Sequence, residues 1–237
     1  MRERAPFQPD DLDHLDGLLS QADAVVPMQD IHTWITDSRV IGMRHDVDNL
    51  IEPAVEFAFW EAERGYRSTY FILHTADYWR DKELLRASLQ MISSLGHEIG
   101  IHNNALAEAH RTGKDPRRIL VEAICELHEL GYKVRGTVAH GDPDCYHRGQ
   151  IRFVNDQLFQ ECRRDYEVPV KPLPLSRFGL DYDANWLTRG AYISDSGGEW
   201  SQPFKPLLDG FPYPGQLHML VHPDWWQEAF QLQEARC

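Results

Sequence analysis

Long apolar runs are missing from this chain of 237 residues. No stretch approaches the roughly 20 consecutive apolar residues that a membrane-spanning helix needs, so insertion into a bilayer as a helix is not expected. Basic residues are scarce beside acidic ones, 24 against 37, and the resulting formal charge of −13 repels nucleic acid instead of gathering it. Cysteine is sparse as well. Cys125, Cys145, Cys162 and Cys237 form no CxxC pair and no zinc-ribbon spacing, and none has the setting of an activated nucleophile. Cys125 falls in a helical apolar pattern and reads as a small core residue. No repeat, linker or low-complexity segment divides the chain. The opening MRERAPFQPDDLDHLDGLL has basic residues but no apolar h-region, which is not the pattern of a secretory signal, and a cytoplasmic location is the expectation.

What is present is enough apolar surface for a substantial core, 42% of residues, and this length suits one large α/β domain better than two small ones. The expected organisation is a single catalytic domain over 1–237, with 1–39 as an N-terminal helical extension packed on it. Short apolar runs at 40–45, 68–73, 98–102, 134–140, 166–170, 191–194 and 217–222 alternate with longer amphipathic ones. Ala54, Val55, Ala58, Phe59 and Ala62 follow the helical period until Gly65. Asp81 caps a helix carrying Leu84, Leu85, Leu89 and Ile92, and Asp115-Pro116 opens another with Leu120, Ile124 and Leu127. Repeated β-α units imply a parallel sheet with right-handed crossovers. Seven strands suggest a barrel or an incomplete barrel, an α/β fold of distorted (β/α)7 type.

The ionisable residues fall at the ends of these runs. The first ends at Asp46 and Asp48, the second at His74, the third at His102, and the fourth at His140 with Asp142 just beyond. The sixth ends at Asp195 and the last at His222. Strand C-terminal ends of β-α barrels converge on one face, where active sites lie. Asp46 and Asp48, two apart on a strand, share one side of it, and two carboxylates in one small volume need protons or a cation between them. Two imidazoles and a carboxylate suit Zn²⁺ or another borderline divalent metal. The ligand set chosen is Asp48, His102 and His140. Asp46 is then the base for the attacking water and His222 the acid that protonates a leaving amine. Asp195 hydrogen-bonds His222 and fixes its tautomer. His74, Asp142, Trp200 and Trp225 are the expected substrate contacts, the tryptophans by stacking on sugar faces.

Each motif also has a plain reading. Asp48 alone suits a helix cap, His102 a satisfied buried histidine, His140-Gly141-Asp142-Pro143 a turn, and Asp224 the cap of the next helix. Core packing accounts for at least one of Trp225 and Trp226. His97 has a structural role, and the remaining histidines are surface or core. Only the shared strand-end position of the site residues favours chemistry over these alternatives.

The segments RHDVD, STYFIL, GHEIGIHNN, AHGDP, YISDSGGEW and LVHPDWW resemble the polysaccharide deacetylase (NodB-homology) superfamily, and are most similar to a divergent branch with an HDVD opening found with surface-polysaccharide genes. The similarity runs from about Val40 to Trp226. It implies a distorted (β/α)7 barrel and metal-dependent removal of acetyl groups from sugars. It further implies Asp46 as base, Asp48 and His102 as ligands, His222 as acid and Asp195 as its support. The family's second metal histidine, four residues after the first, is Leu106 here. Leucine cannot ligate, so His140 is the substitute and His110 the runner-up. The family's Arg-Pro-Pro segment is absent, with Arg135 a loose counterpart. The expected activity is removal of an N-acyl, chiefly N-acetyl, group from a small or oligomeric sugar. The alternatives are a cyclic amide substrate, or a non-catalytic carbohydrate-binding relative.

Overall fold

A computed structural model describes residues 7–33, 38–160, 170–187, 191–201 and 215–235. Helix α1 (Pro9–Leu19) and strand β1 (Ala24–Val26) precede β2 (Arg39–Val47). Then come α2 (Glu52–Glu63), β3 (Thr69–Leu73), α3 (Lys82–Ser94), β4 (Glu98–Asn103), α4 (Ala105–Thr112), α5 (Pro116–Glu129) and β5 (Gly136–Ala139). A small antiparallel ribbon, β6 (Tyr146–His147) with β7 (Gln150–Ile151), is followed by β8 (Tyr182–Asp183), β9 (Ala191–Ser194), β10 (Gly215–Val221) and α6 (Gln227–Glu234). The main sheet runs β8-β5-β4-β3-β2-β10-β9, with β1 also paired to β2, and every pairing in it is parallel. Among the described residues its edges β8 and β9 do not pair with each other. The fold is an incomplete α/β barrel.

Alternation along β2 sets the two layers. Ile41 and Met43 face outward and, with Leu217, Met219 and Val221 of β10, bury against Leu12, Leu15, Phe57, Trp60, Trp226 and Phe230 from α1, α2 and the α6 region. On the other half, Ile72, Ile99 and Ile101 meet Leu85, Leu89 and Ile92 of α3 and Leu120, Ile124 and Leu127 of α5. Val40, Gly42, Arg44 and Asp46 face inward. The interior is filled by Met28, Phe71, Val138, Tyr182 and Ala184, so the barrel is a packed core with one polar end. Gly100 is required there, since a Cβ would overlap the Phe71 ring.

The helix starts follow their signals. Asp81 accepts from Leu84 N at 3.0 Å and Asp115 from Arg117 N at 3.0 Å, each satisfying an amide that the first turn leaves open. Three expectations change. Residues 1–39 are not simply a helical extension, because Ala24–Val26 join the sheet beside Val40–Gly42. Cys125 is exposed on the outer side of α5, not in the core. The run 166–170 lies outside the described residues apart from Val170, and the place beside β5 is taken by β8. That strand is two residues long, too short to show a period.

Candidate metal centre and active site

Asp48 follows the last residue of β2, His102 lies in β4 and His140 follows β5, all at the strands' C-terminal ends, with β3 between β2 and β4. Register explains why the histidines meet. His102 is aligned with Val138, so His140, two residues on, shares its side of the sheet at the rim. Asp48 Oδ1 lies 3.2 Å from His102 Nε2 and 3.4 Å from His140 Nδ1, and the two nitrogens are 3.2 Å apart. Asp48 Oδ1 is buried, and these two imidazoles are the polar groups it faces. The three atoms converge on one small volume. Donors about 2.0–2.1 Å from a tetrahedral ion are separated by about 3.3 Å, so this triangle fits Zn²⁺. His102 Nδ1 donates to Val138 O at 3.1 Å, which leaves Nε2 as the lone pair facing the triangle. Burial opposes the Asp48 charge, but the two imidazoles outweigh it and hold the carboxyl far below its usual range.

Asp46 is buried on the same side, with Oδ2 3.7 Å from His102 Nε2. Beside it lies a residue that sequence reasoning missed. Arg44 Nε is 3.3 Å from Asp46 Oδ1, and its Nη1 donates to Asn185 Oδ1 at 3.0 Å. The signal was available: Arg44 is two residues before Asp46, so the alternation that joins the two aspartates also includes it. Arg135 is instead exposed and pairs with Asp181 at 2.6 Å.

His222 follows β10 and its Nε2 is 4.0 Å from Asp48 Oδ2. Its Nδ1 donates to Asp195 Oδ1 at 2.6 Å, and its backbone N–H reaches the same carboxylate. Trp226 Nε1 donates to Asp195 Oδ2 at 2.9 Å. Burial works against the imidazolium, yet the hydrogen bond and charge of Asp195, with Asp46 and Asp48 beyond, lift His222 to about 9.

The other expected residues separate. His74 accepts from Asn104 N at 3.0 Å, and burial, then the nearby His102 and His140, lower it to about 3. Asp142 accepts from Asn104 Nδ2 at 2.7 Å and from Arg111 at 2.9 and 3.0 Å. Both support the loops around the triangle. Trp225 is half-exposed on the turn after His222, whereas Trp200 packs on Phe7 and Trp226 behind the sheet. That packing takes Trp200 away from the stacking role expected of it. His110, the alternative ligand, is exposed and has Arg152 Nη1 at 3.0 Å. Asp48 caps no helix, and Asp224 accepts from Asn49 N, Asn49 Nδ2 and Leu50 N, tying the β10 exit to the β2 exit. His97 has its structural role between Ser68 N and Ala58 O. Cys145 is buried, and desolvation pushes its thiol up to about 12, so it is inert as a nucleophile.

No family model matches the chain, and no curated protein matches it. Solved structures with a related arrangement include a mutant CE4 family pseudoenzyme with restored enzymatic activity. It is 12% identical over 85% of this chain and 63% of that one, with a TM-score of 0.42. A peptidoglycan N-acetylglucosamine deacetylase in complex with a naphthalenyl N-oxidanyl-benzamide is 12% identical over 83% and 82%, with a TM-score of 0.39. The chain spans under two thirds of the first of these. At these values the likeness assigns neither a family nor an activity to this chain.

Proposed function

We propose that the chain is a metal-dependent hydrolase that removes an N-acyl group, in the first instance N-acetyl, from a sugar or a surface-polysaccharide precursor. The reading is carried by one observation: Asp48 Oδ1, His102 Nε2 and His140 Nδ1 form a triangle with edges of 3.2–3.4 Å, flanked by Asp46 and by the His222–Asp195 pair. Asp48, His102 and His140 would hold the ion. A divalent metal there, Zn²⁺ by the mix of nitrogen and oxygen donors, supplies polarisation of the scissile carbonyl and acidifies water.

The chain's own groups do the rest. Asp46, which is not a ligand, accepts the proton of the attacking water. Arg44 holds Asp46 in place from below. His222 delivers the Nε2 proton to the departing amine nitrogen, and Asp195, fixed by Trp226 Nε1 and the His222 amide, keeps the proton on Nδ1 and the ring turned toward the site. Trp225, exposed on the turn that follows His222, supports a sugar as substrate, since an open aromatic face suits ring C–H surfaces.

The test pairs metal content with product release. Purified protein is expected to carry or take up close to one equivalent of divalent metal, and to release acetate from a panel of N-acetyl sugars and nucleotide sugars only in the metal-loaded form. Uptake below about a tenth of an equivalent would remove the hydrolase reading.

A further inference from the structure

The triangle takes its third corner from a residue outside any strand. His140 follows β5, and its one ladder bond is its N–H to Asn103 O at 2.9 Å. Its carbonyl oxygen accepts instead from Asn155 Nδ2 at 2.8 Å. Asn155 is fully buried at the start of a 3₁₀ turn, 15 residues along the chain. Its side chain also donates to Asn104 Oδ1 at 3.0 Å, and its Oδ1 accepts from Leu106 N at 3.0 Å and Ala107 N at 3.1 Å. Nδ2 thus donates to His140 O and Asn104 Oδ1, with Cys145 Sγ a longer contact at 3.7 Å, and Oδ1 takes two amides, which fills the hydrogen-bonding capacity of a carboxamide.

The consequences are geometric. Leu106 and Ala107 open α4, so the Asn155 side chain welds the first turn of that helix to the peptide group of His140. Asn104, its third partner, is held by Asp142 and Thr75, and Arg111 of α4 clamps Asp142. With the N–H side of His140 fixed to β4 and the C=O side fixed to Asn155, the backbone dihedrals that aim the imidazole have little freedom. We infer that Asn155 is the positioning residue for the third metal ligand: its bond to His140 O holds His140 Nδ1 at its 3.2 Å and 3.4 Å separations from His102 and Asp48. This rests on the metal reading above. Among the described residues, no other side chain bonds both His140 O and the first turn of α4. Aspartate keeps the acceptor for α4 but loses the donor to His140, and alanine loses both.

Hydrogen bonds that orient metal ligands are worth about 10–100-fold in affinity. The test measures Zn²⁺ affinity by chelator competition and the visible spectrum of the Co²⁺ form, with the thermal midpoint of the apo protein measured alongside. Asn155→Ala and Asn155→Asp are both expected to bind about 10–100-fold more weakly than wild type, with an altered Co²⁺ band. The result for Asn155→Asp is the more telling, because an added carboxylate alone would favour a cation. Leu127→Ala, a core truncation in α5, lowers the apo midpoint and is expected to leave affinity and spectrum unchanged. Wild-type affinity and spectrum in both Asn155 variants, with wild-type protein binding metal, would overturn the inference and leave the function standing. Wild-type protein that binds no metal would overturn both.

Discussion

Asp183 provides a test of the interior that needs no substrate and no metal. It ends β8, is buried, and accepts from Asn185 N at 3.0 Å, while no partner for its Oδ2 lies among the described residues. Desolvation is the main cause that raises it to about 7, with Asp156 and Asp46 adding to the rise and Arg44 opposing it. An acid with a folded value near 7 and an unfolded value of 3.8 stays protonated in the folded state while it ionises in the unfolded one. Its contribution is therefore fully present below pH 4 and is lost as pH rises toward and through 7. The whole loss is about 4 kcal/mol, and roughly 2.5 kcal/mol of it falls between pH 5 and pH 8. Asparagine mimics the protonated form and cannot ionise. In Asp183→Asn the difference from wild type should accordingly grow in the variant's favour from pH 5 to pH 8. At about 2–4 °C per kcal/mol, that growth is roughly 5–10 °C in midpoint. Calorimetry or urea unfolding of both proteins at the two pH values reads it directly. The comparison cancels titrating groups that are not coupled to Asp183, including buried His218, which desolvation and Arg44 lower to about 3. A pH-independent difference, or one that grows in favour of wild type, would refute the argument.

Other outcomes bear on the site. His140→Ala should lower bound metal as severely as His102→Ala, whereas His110→Ala should keep it; elemental analysis of the three proteins decides, and the reverse result would reassign the third ligand. Asp46→Asn should retain metal yet lose about 10²–10⁴-fold in turnover, the range of a general base; loss of metal in that variant would exchange the roles of the two aspartates. Asp195→Asn should cost a similar factor in kcat with metal content intact, because the imidazole loses the carboxylate charge, and an amide has one acceptor oxygen for the donors that Asp195 now holds. Full activity in that variant would remove His222 as the acid.

Periodic signals carried most of the fold. Runs expected at 40–45, 98–102 and 191–194 became Arg39–Val47, Glu98–Asn103 and Ala191–Ser194, because strands buried on both faces read as continuous apolar segments. Strand-end placement brought Asp46, Asp48, His102, His140 and His222 to one rim by the same logic. What stayed hidden has no period. Asn155 and Asp183 act through hydrogen bonds and burial from short 3₁₀ and strand pieces, and neither residue type announces its partners. The Glu61 cluster was hidden for another reason. His45 lies 2.8 Å from Glu61, which also accepts from Ser68 and Tyr70, and a glutamate on a helix reads as solvated until α2 is seen pressed on the sheet. Trp200 and Trp225 show the same limit: both follow a site segment, and only tertiary packing separates a core ring from a half-exposed one.

Leu106 shows how the expected ligand pattern and this one differ physically. A histidine there would come from the first turn of α4, four residues after His102, and would depend on the helix for its aim. In this chain Leu106 is buried in the core with the outer helices, so the position contributes packing. The third ligand arrives instead from just past the neighbouring strand, two residues beyond the partner of His102. Parallel strands keep such residues close without any helix, but the chain leaves the sheet at His140 and its direction there is free. Something must fix that exit. The backbone bond to Asn103 does so on one side and the Asn155 carboxamide on the other. The same carboxamide caps the helix that carries Leu106. Moving a ligand from a helix to a strand exit thus leaves the helix start and the new ligand sharing one support. Disturbing that support should therefore loosen the α4 start and the His140 corner together.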